Sequence, residues 1–312
     1  MSSKKHIKLF QRALARYGLF GCAWLFDRLP LAMVNLISRV FLFIGFNLTI
    51  RQRRIAKESL NIAFRGKKSA QEIRQIIKKC FYNFGKGMVE MLYYMSHPQL
   101  IDEKVSFEGL EHVDSALKEG RGIIAVTAHF GNFPLMMLAF AHRKYKVSCV
   151  IRPTRDEGVE AFLHQKRNQV GLKTVYAKPR RHTATEALKV LRNNEILFIP
   201  IDQNFGSDGG VFVDFFGQKA ATAPGPIVFA NRTKAPIIPM FIVHEEGDKH
   251  KVIIEKPLEL TEGRDEKETI FINLTKLTQL IEAYIRKYPY EWAWMHRRWK
   301  SKPYPLRYCP NA

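Results

Sequence analysis

Gly122-Ile-Ile-Ala-Val-Thr-Ala-His-Phe-Gly-Asn-Phe-Pro134 decides how this chain is read. Gly122 to Ala128 form an apolar run with the texture of a buried strand. The run stops at His129, and an apolar helical pattern opens at Pro134. A histidine at the carboxyl end of a strand, just ahead of a helix, stands where open α/β sheets hold their ligands. An imidazole there accepts a proton from a hydroxyl near neutral pH. A lone histidine is more often structural, so the flanking residues carry the argument. Gly131 lets a backbone come close to a ligand, Asn132 offers an amide to a polar substrate or a helix start, and Phe130 and Phe133 supply an apolar rim.

The same texture extends outward. Strands are expected near 105–108, 122–127, 147–151, 173–176, 196–201, 237–243 and 251–254. Helices are expected near 113–119, 134–142, 159–170, 183–193, 226–233 and 271–287. Such alternation predicts an α/β fold with a mostly parallel sheet flanked by helices over residues 101–312.

Further motifs follow other strands. Ile199-Pro-Ile-Asp-Gln-Asn-Phe-Gly-Ser-Asp-Gly-Gly210 ends a strand on Asp202 and Gln203. Because Asp202 and His129 both leave strand carboxyl ends, the carboxylate is expected beside the imidazole, holding its tautomer and favouring its protonated form. The bland alternative is that Asp202 caps a turn made by the glycines. Val211-Phe-Val-Asp-Phe-Phe-Gly217 offers Phe215 and Phe216 as a wall for an acyl chain, although aromatic clusters are usually core. Thr222 and the following Pro-Gly-Pro run suit a helix start facing an anion. Arg152, in Ile151-Arg-Pro-Thr-Arg155, suits a phosphate or a plain surface position equally well. Trp292-Ala-Trp-Met-His-Arg-Arg-Trp-Lys300 sets Arg297 and Arg298 among aromatics, a pattern that suits lipid headgroups or nucleic-acid bases.

Residues 1–100 read as helical. The segments 18–26 and 29–46 are apolar and aromatic, with Lys4, Lys5, Lys8, Arg12, Arg16, Asp27-Arg28, Arg39 and Arg51-Gln-Arg-Arg54 before, within and after them. An apolar helix flanked by cations suits a membrane surface, and a buried core helix is the rival. Asp27-Arg28 and Arg39 interrupt the apolar run before it reaches an uninterrupted membrane-spanning length, one spanning helix stays open with Asp27 and Arg28 at headgroup level, and no cleavable signal peptide is evident. A helix over 70–94 is expected to open on Ser69 with Glu72 as a capping box, and Pro98 closes the region.

The 312 residues carry a net charge of +21, which calls for an anionic partner. With 46% hydrophobic and 12% aromatic residues the chain has ample material for a core. Cys22, Cys80, Cys149 and Cys309 are far apart and form no Cys-x-x-Cys pair, which argues against a zinc site and against a disulfide framework. No nucleic-acid module is recognisable, so nucleic acid is the weaker partner.

Taken in order, the basic apolar N-terminus, Arg51–Phe64, His129-Phe-Gly-Asn-Phe133, Asp202-Gln203, Val211–Gly217 with Ala221-Thr222, and Trp294–Lys300 resemble the bacterial lipid A late acyltransferases of lauroyl/myristoyl type. These fall within the lysophospholipid-acyltransferase-like superfamily. The resemblance implies a glycerolipid-acyltransferase-like fold with an N-terminal membrane-associating region. It implies a fatty acyl group moved from an acyl carrier protein or coenzyme A thioester to a hydroxyl of a lipid A precursor or related glycolipid or lysolipid. The implied place is the cytoplasmic face of the inner membrane, with no metal or redox cofactor. Carrier protein, lipid acceptor and membrane surface would all attract a basic chain.

One position departs from the family signature His-x-x-x-x-Asp/Glu: Pro134 stands where the acid belongs. The expected remedy is Asp202. His129 is then the general base, Asp202 steadies it, amides near Gly131–Asn132 stabilise an oxyanion, Arg152 holds phosphate, and Gln203, Phe215, Phe216, Thr222, Arg297 and Arg298 contact substrates. The rival reading is a catalytically altered or silent lipid-binding relative.

Overall fold

A computed structural model describes residues 2–303. The side chains of Lys4, Lys5 and Lys8, and the whole of Cys309, lie outside the described residues.

Four long helices come first: α1 Ser2–Phe26, α2 Leu31–Leu48, α3 Ile50–Phe64 and α4 Ala70–Ser96. Pro30 stands just ahead of α2, and Asp27-Arg28 falls in the break between α1 and α2. At the start of α4, Ser69 Oγ accepts the Glu72 N–H and the Glu72 carboxylate accepts the Ser69 N–H, which satisfies two otherwise orphaned donors. After a short turn, α5 Ile101–Lys104, the α/β part begins. Its strands are β1 Val105–Glu108, β2 Ile123–Thr127, β3 Val147–Ile151, β4 Leu172–Tyr176, β5 Ile196–Pro200, β6 Val211–Phe215, β7 Gln218–Thr222, β8 Ile237–Glu245 and β9 Lys249–Ile254. Its helices are α6 Leu110–Lys118, α7 Phe133–His142, α8 Glu157–Gln169, α9 Arg180–Arg192, α10 Gly225–Thr233 and α11 Glu266–Lys287.

Seven strands form one sheet in the order β1-β9-β8-β2-β5-β3-β4. β8, β2, β5, β3 and β4 run one way, while the β8–β9 hairpin turns β9, and with it β1, the other way. β6 and β7 make a separate hairpin, where sequence patterning suggested only an aromatic wall. β2 is buried on both faces, as a central parallel strand must be. Ile124 and Val126 point into one core with Leu197, Ile199 and residues of α9, α10, α11 and α3. Ile123 and Ala125 point into the other, where every inner residue of α7 packs with the end of α4. The register pairs Ile123 with Ile196 and Thr127 with Pro200. The strand ends are therefore level, and the residues two positions beyond them, His129 and Asp202, emerge side by side.

α2 has the length that the spanning alternative requires. It is an unbroken 18-residue helix despite Arg39, with mean hydropathy 1.8, and is long and apolar enough to cross a membrane. Only 11% of it is buried. Met33, Leu36, Val40, Phe41, Phe43, Ile44 and Leu48 face outward, continued by Leu14, Tyr17 and Trp24 of α1.

Candidate active site

The site is assembled where β2 and β5 end. Beyond β2 the chain reaches His129 and turns at Gly131, whose φ of +55° lies in the left-handed region. A Cβ on Gly131 would sit 2.0 Å from the Ile242 carbonyl oxygen of β8, so no larger residue fits without moving the strand. Asn132 then caps α7: its Oδ1 accepts the Leu135 N–H at 3.2 Å. Pro134 falls in the first turn of α7, where a missing N–H costs nothing.

His129 Nδ1 lies 2.9 Å from Asp202 Oδ1. The carboxylate's other oxygen accepts the Trp292 indole N–H at 2.8 Å. The Asp202 side chain is buried, and that burial works against its charge. The imidazole beside it and the indole N–H outweigh burial and hold the carboxyl at about 2, below its ordinary 3.8. Facing an ionised carboxylate, Nδ1 carries the proton, which leaves Nε2 as the basic nitrogen. The Gln203 amide nitrogen sits 2.9 Å from that Nε2 and 3.2 Å from His296 Nε2. With two hydrogens it donates one to each ring. Burial, reinforced by the neighbouring His129, pushes His296 down to about 4 against the pull of Asp202, so His296 is neutral at physiological pH. Phe133 meets the His129 ring edge-on at 4.9 Å. The His129 side chain keeps 19% of its surface exposed.

Residues 1–301 match the family described as bacterial lipid A biosynthesis acyltransferase. The chain belongs to this family. It is 25% identical to the lipid A biosynthesis lauroyltransferase of Escherichia coli (strain K12) over 292 residues, covering 92% of each chain. It is 22% identical to the lipid A biosynthesis palmitoleoyltransferase of the same organism over 294 residues, 93% of this chain and 92% of that one. Among solved structures it is similar to the 1-acyl-sn-glycerophosphate (LPA) acyltransferase PlsC of Thermotoga maritima, with a TM-score of 0.39, 15% identity, and coverage of 81% of this chain and 97% of that one.

In this acyltransferase the residues expected to contact substrates separate into distinct groups. Arg152 does line an open cleft, of about 430 Å³, with Arg155 and Lys178. The cleft opens beyond β3 and β4, at the same sheet edge as His129 and on the far side of β5. Arg297 is exposed. Gln203 bridges two imidazoles as described.

The rest are engaged within the protein. The Gly131 N–H is donated to the Glu291 carbonyl at 2.9 Å, so it is not an open oxyanion donor. Asn132 is fully buried and gives its amide hydrogen to Glu90 Oε2 at 2.8 Å. Phe215 and Phe216 are buried among Trp292, Trp294 and Trp299 rather than lining an open acyl groove, because the hairpin that carries them folds onto α11 and the C-terminal tryptophans. Thr222 and Arg298 are buried together: Arg298 Nη2 donates to Thr222 Oγ1, and Nη1 donates to the carbonyls of Gln203 and Ala221. A buried guanidinium ties the Asp202–Gln203 loop to the β6–β7 hairpin instead of meeting solvent anions. Trp292, Trp294 and Trp299 are likewise core, not headgroup contacts.

Trp292 and His296 belong to the site but were read only as parts of an aromatic, basic stretch. Ninety residues separate Trp292 from Asp202. The sequence offered no signal that singled out Trp292 and His296 from the other polar-tipped rings of that stretch, Trp294 and Trp299.

Proposed function

We propose that this acyltransferase is a membrane-associated O-acyltransferase in which His129 is the general base. The observation that carries the reading is the 2.9 Å contact between His129 Nδ1 and Asp202 Oδ1, which supplies a carboxylate where Pro134 removes the family's usual one. An incoming acceptor hydroxyl takes the place of the Gln203 amide at His129 Nε2 and gives up its proton there. Its oxygen bonds to the carbonyl carbon of the acyl thioester, the carbon–sulfur bond breaks, and the imidazolium returns the proton to the departing sulfur. Asp202 stabilises the imidazolium in between.

The donor class is a fatty acyl thioester, of acyl carrier protein or coenzyme A. The acceptor class is a lipid A precursor or a related glycolipid or lysolipid bearing anionic groups. The cationic cleft of Arg152, Arg155 and Lys178 suits a phosphate of either substrate. The outward apolar face of α2, with Arg51 and Arg54 exposed just beyond it, suits the cytoplasmic face of the inner membrane, where acyl chains and lipid phosphates meet. The ionised Asp202 beside His129 favours this reading over a silent lipid-binding relative.

Mass spectrometry of total lipids tests it. Cells lacking the protein should lose one fatty acyl unit from one lipid class. The wild-type gene should restore that unit and His129→Ala should not. Full restoration by folded His129→Ala protein removes His129 from the mechanism.

A further inference from the structure

Behind the loop that carries His129 lies a second cluster of titratable groups that the acyl transfer does not use. The β8–β9 hairpin pairs His244 directly with His250 across the strands, and their rings stand 4.6 Å apart. Glu90 approaches from α4, and His250 Nε2 lies 3.2 Å from its Oε2. His244 Nδ1 lies 2.7 Å from Glu291 Oε2.

Each ring thus donates one N–H to a carboxylate, which leaves its other nitrogen with a lone pair. Those nitrogens, His244 Nε2 and His250 Nδ1, are buried and have no hydrogen-bond partner among the described residues. His250 is only 1% exposed. Glu90 Oε2 is occupied by Asn132 and His250, whereas Oε1 has an ion pair with Lys86 at 3.4 Å. Lys86 makes its closer contact, 2.5 Å, with Asp248.

The charges do not balance with both rings neutral. Among the described residues, buried Glu90 has one ion-paired ammonium, Lys86, which it shares with the exposed Asp248, and Glu291 pairs with the His244 ring. Buried carboxylates without compensating charge are costly, as are buried nitrogens without partners. Protonating both rings would fix the first problem and worsen the second, because each orphan nitrogen would become a buried N–H with no acceptor. One bound dication supplies positive charge and takes up the lone pairs of ring nitrogens.

We propose that Glu90, His244 and His250 form a binding site for a divalent transition metal of the zinc class. Ligand-capable atoms, one from each residue, lie within 4.8 Å of one another. Around tetrahedral zinc, ligand atoms stand roughly 3.3 Å apart, so metal binding draws the three side chains together and replaces the hydrogen bond between His250 Nε2 and Glu90. Imidazole and carboxylate are the ligands this metal class prefers. The Glu291 carboxylate on His244 Nδ1 is the outer partner that metal-bound histidines usually have. A cleft of about 570 Å³ lies beside the cluster, with His250, Asp102 and Glu245 among its lining residues. The site is structural in role. Glu90 holds Asn132, and the Glu291 carbonyl holds the Gly131 N–H, so a metal here fixes the turn after His129 from behind.

Zinc chloride titrated by calorimetry into the full-length, chelator-stripped protein tests this without any need for turnover. One zinc per chain should bind with sub-micromolar affinity. X-ray absorption of the loaded protein should show two imidazoles at about 2.0 Å from the metal. His244→Gln combined with His250→Asn should abolish binding while far-UV circular dichroism stays unchanged. Absence of saturable binding, a zinc shell lacking two imidazoles, or undiminished binding in the folded double variant would overturn the site. If the double variant fails to fold, the absorption spectrum of the wild-type protein decides alone.

Discussion

His129 and Asp202 are 73 residues apart, yet their side chains meet at 2.9 Å because each stands two positions past the end of its strand and those ends are register partners. The contact is a product of sheet pairing. With Pro134 in the helix after the histidine, the carboxylate beside the imidazole comes from the neighbouring strand's loop.

Replacing Asp202 with Asn keeps the shape and an acceptor for the Trp292 indole but removes the charge. Turnover should fall about 10²–10⁴-fold, the range a positioned base and its partner supply. The KM for the acyl thioester should change little. Steady-state kinetics with donor and lipid acceptor measures this, and a loss smaller than threefold would leave His129 without its acid.

Gln203 donates to both His129 and His296. In Gln203→Glu a carboxylate faces both rings and stabilises their charged forms. The base must be neutral to work, so the acid limb of the kcat/KM profile should move up by about one pH unit. An unmoved limb would mean that position 203 does not contact the base in solution.

His296 is held neutral by burial, with a pKa of about 4 against an ordinary 6.5. As pH falls from 6.5 towards 4, the unfolded chain gains a proton there that the folded chain refuses. Stability is therefore lost across that window and not recovered below it. Asp202, at about 2, stays ionised throughout. His296→Asn should flatten the acid-side fall in urea midpoint between pH 6.5 and 4. An identical slope in the variant would show that His296 titrates normally.

Phe43 is 70% exposed on the apolar face of α2. Phe43→Asp should leave thermal stability nearly unchanged but weaken partitioning onto anionic vesicles. A charge in an apolar membrane helix costs on the order of 3 kcal/mol, about 100-fold. Vesicle flotation measures it, and undiminished flotation would mean that this face does not meet lipid.

Much of the architecture was legible in local pattern. The apolar run before His129, the Ser69–Glu72 capping box and the alternation of strands and helices from 105 onward all appear at the expected places, with ends shifted by a few residues. Those signals are local, since burial and capping leave their mark on residues near in sequence. The β6–β7 hairpin escaped because Phe212, Phe215 and Phe216 read as a generic aromatic cluster. The mutual burial of Thr222 and Arg298 was not legible because a polar side chain looks the same in sequence whether it faces a ligand or a buried carbonyl.

The sequence by itself determined the elements, the basic balance and a histidine at a strand's end, because periodicity and charge are carried by neighbouring residues. Only the tertiary structure decided what surrounds that histidine. Strand order set Asp202 beside it, and the return of the C-terminal segment added Trp292 and His296. The β8–β9 hairpin brought His244 and His250 to Glu90. Each of these contacts joins residues tens of positions apart, and chain packing, not spacing, fixes which of them touch.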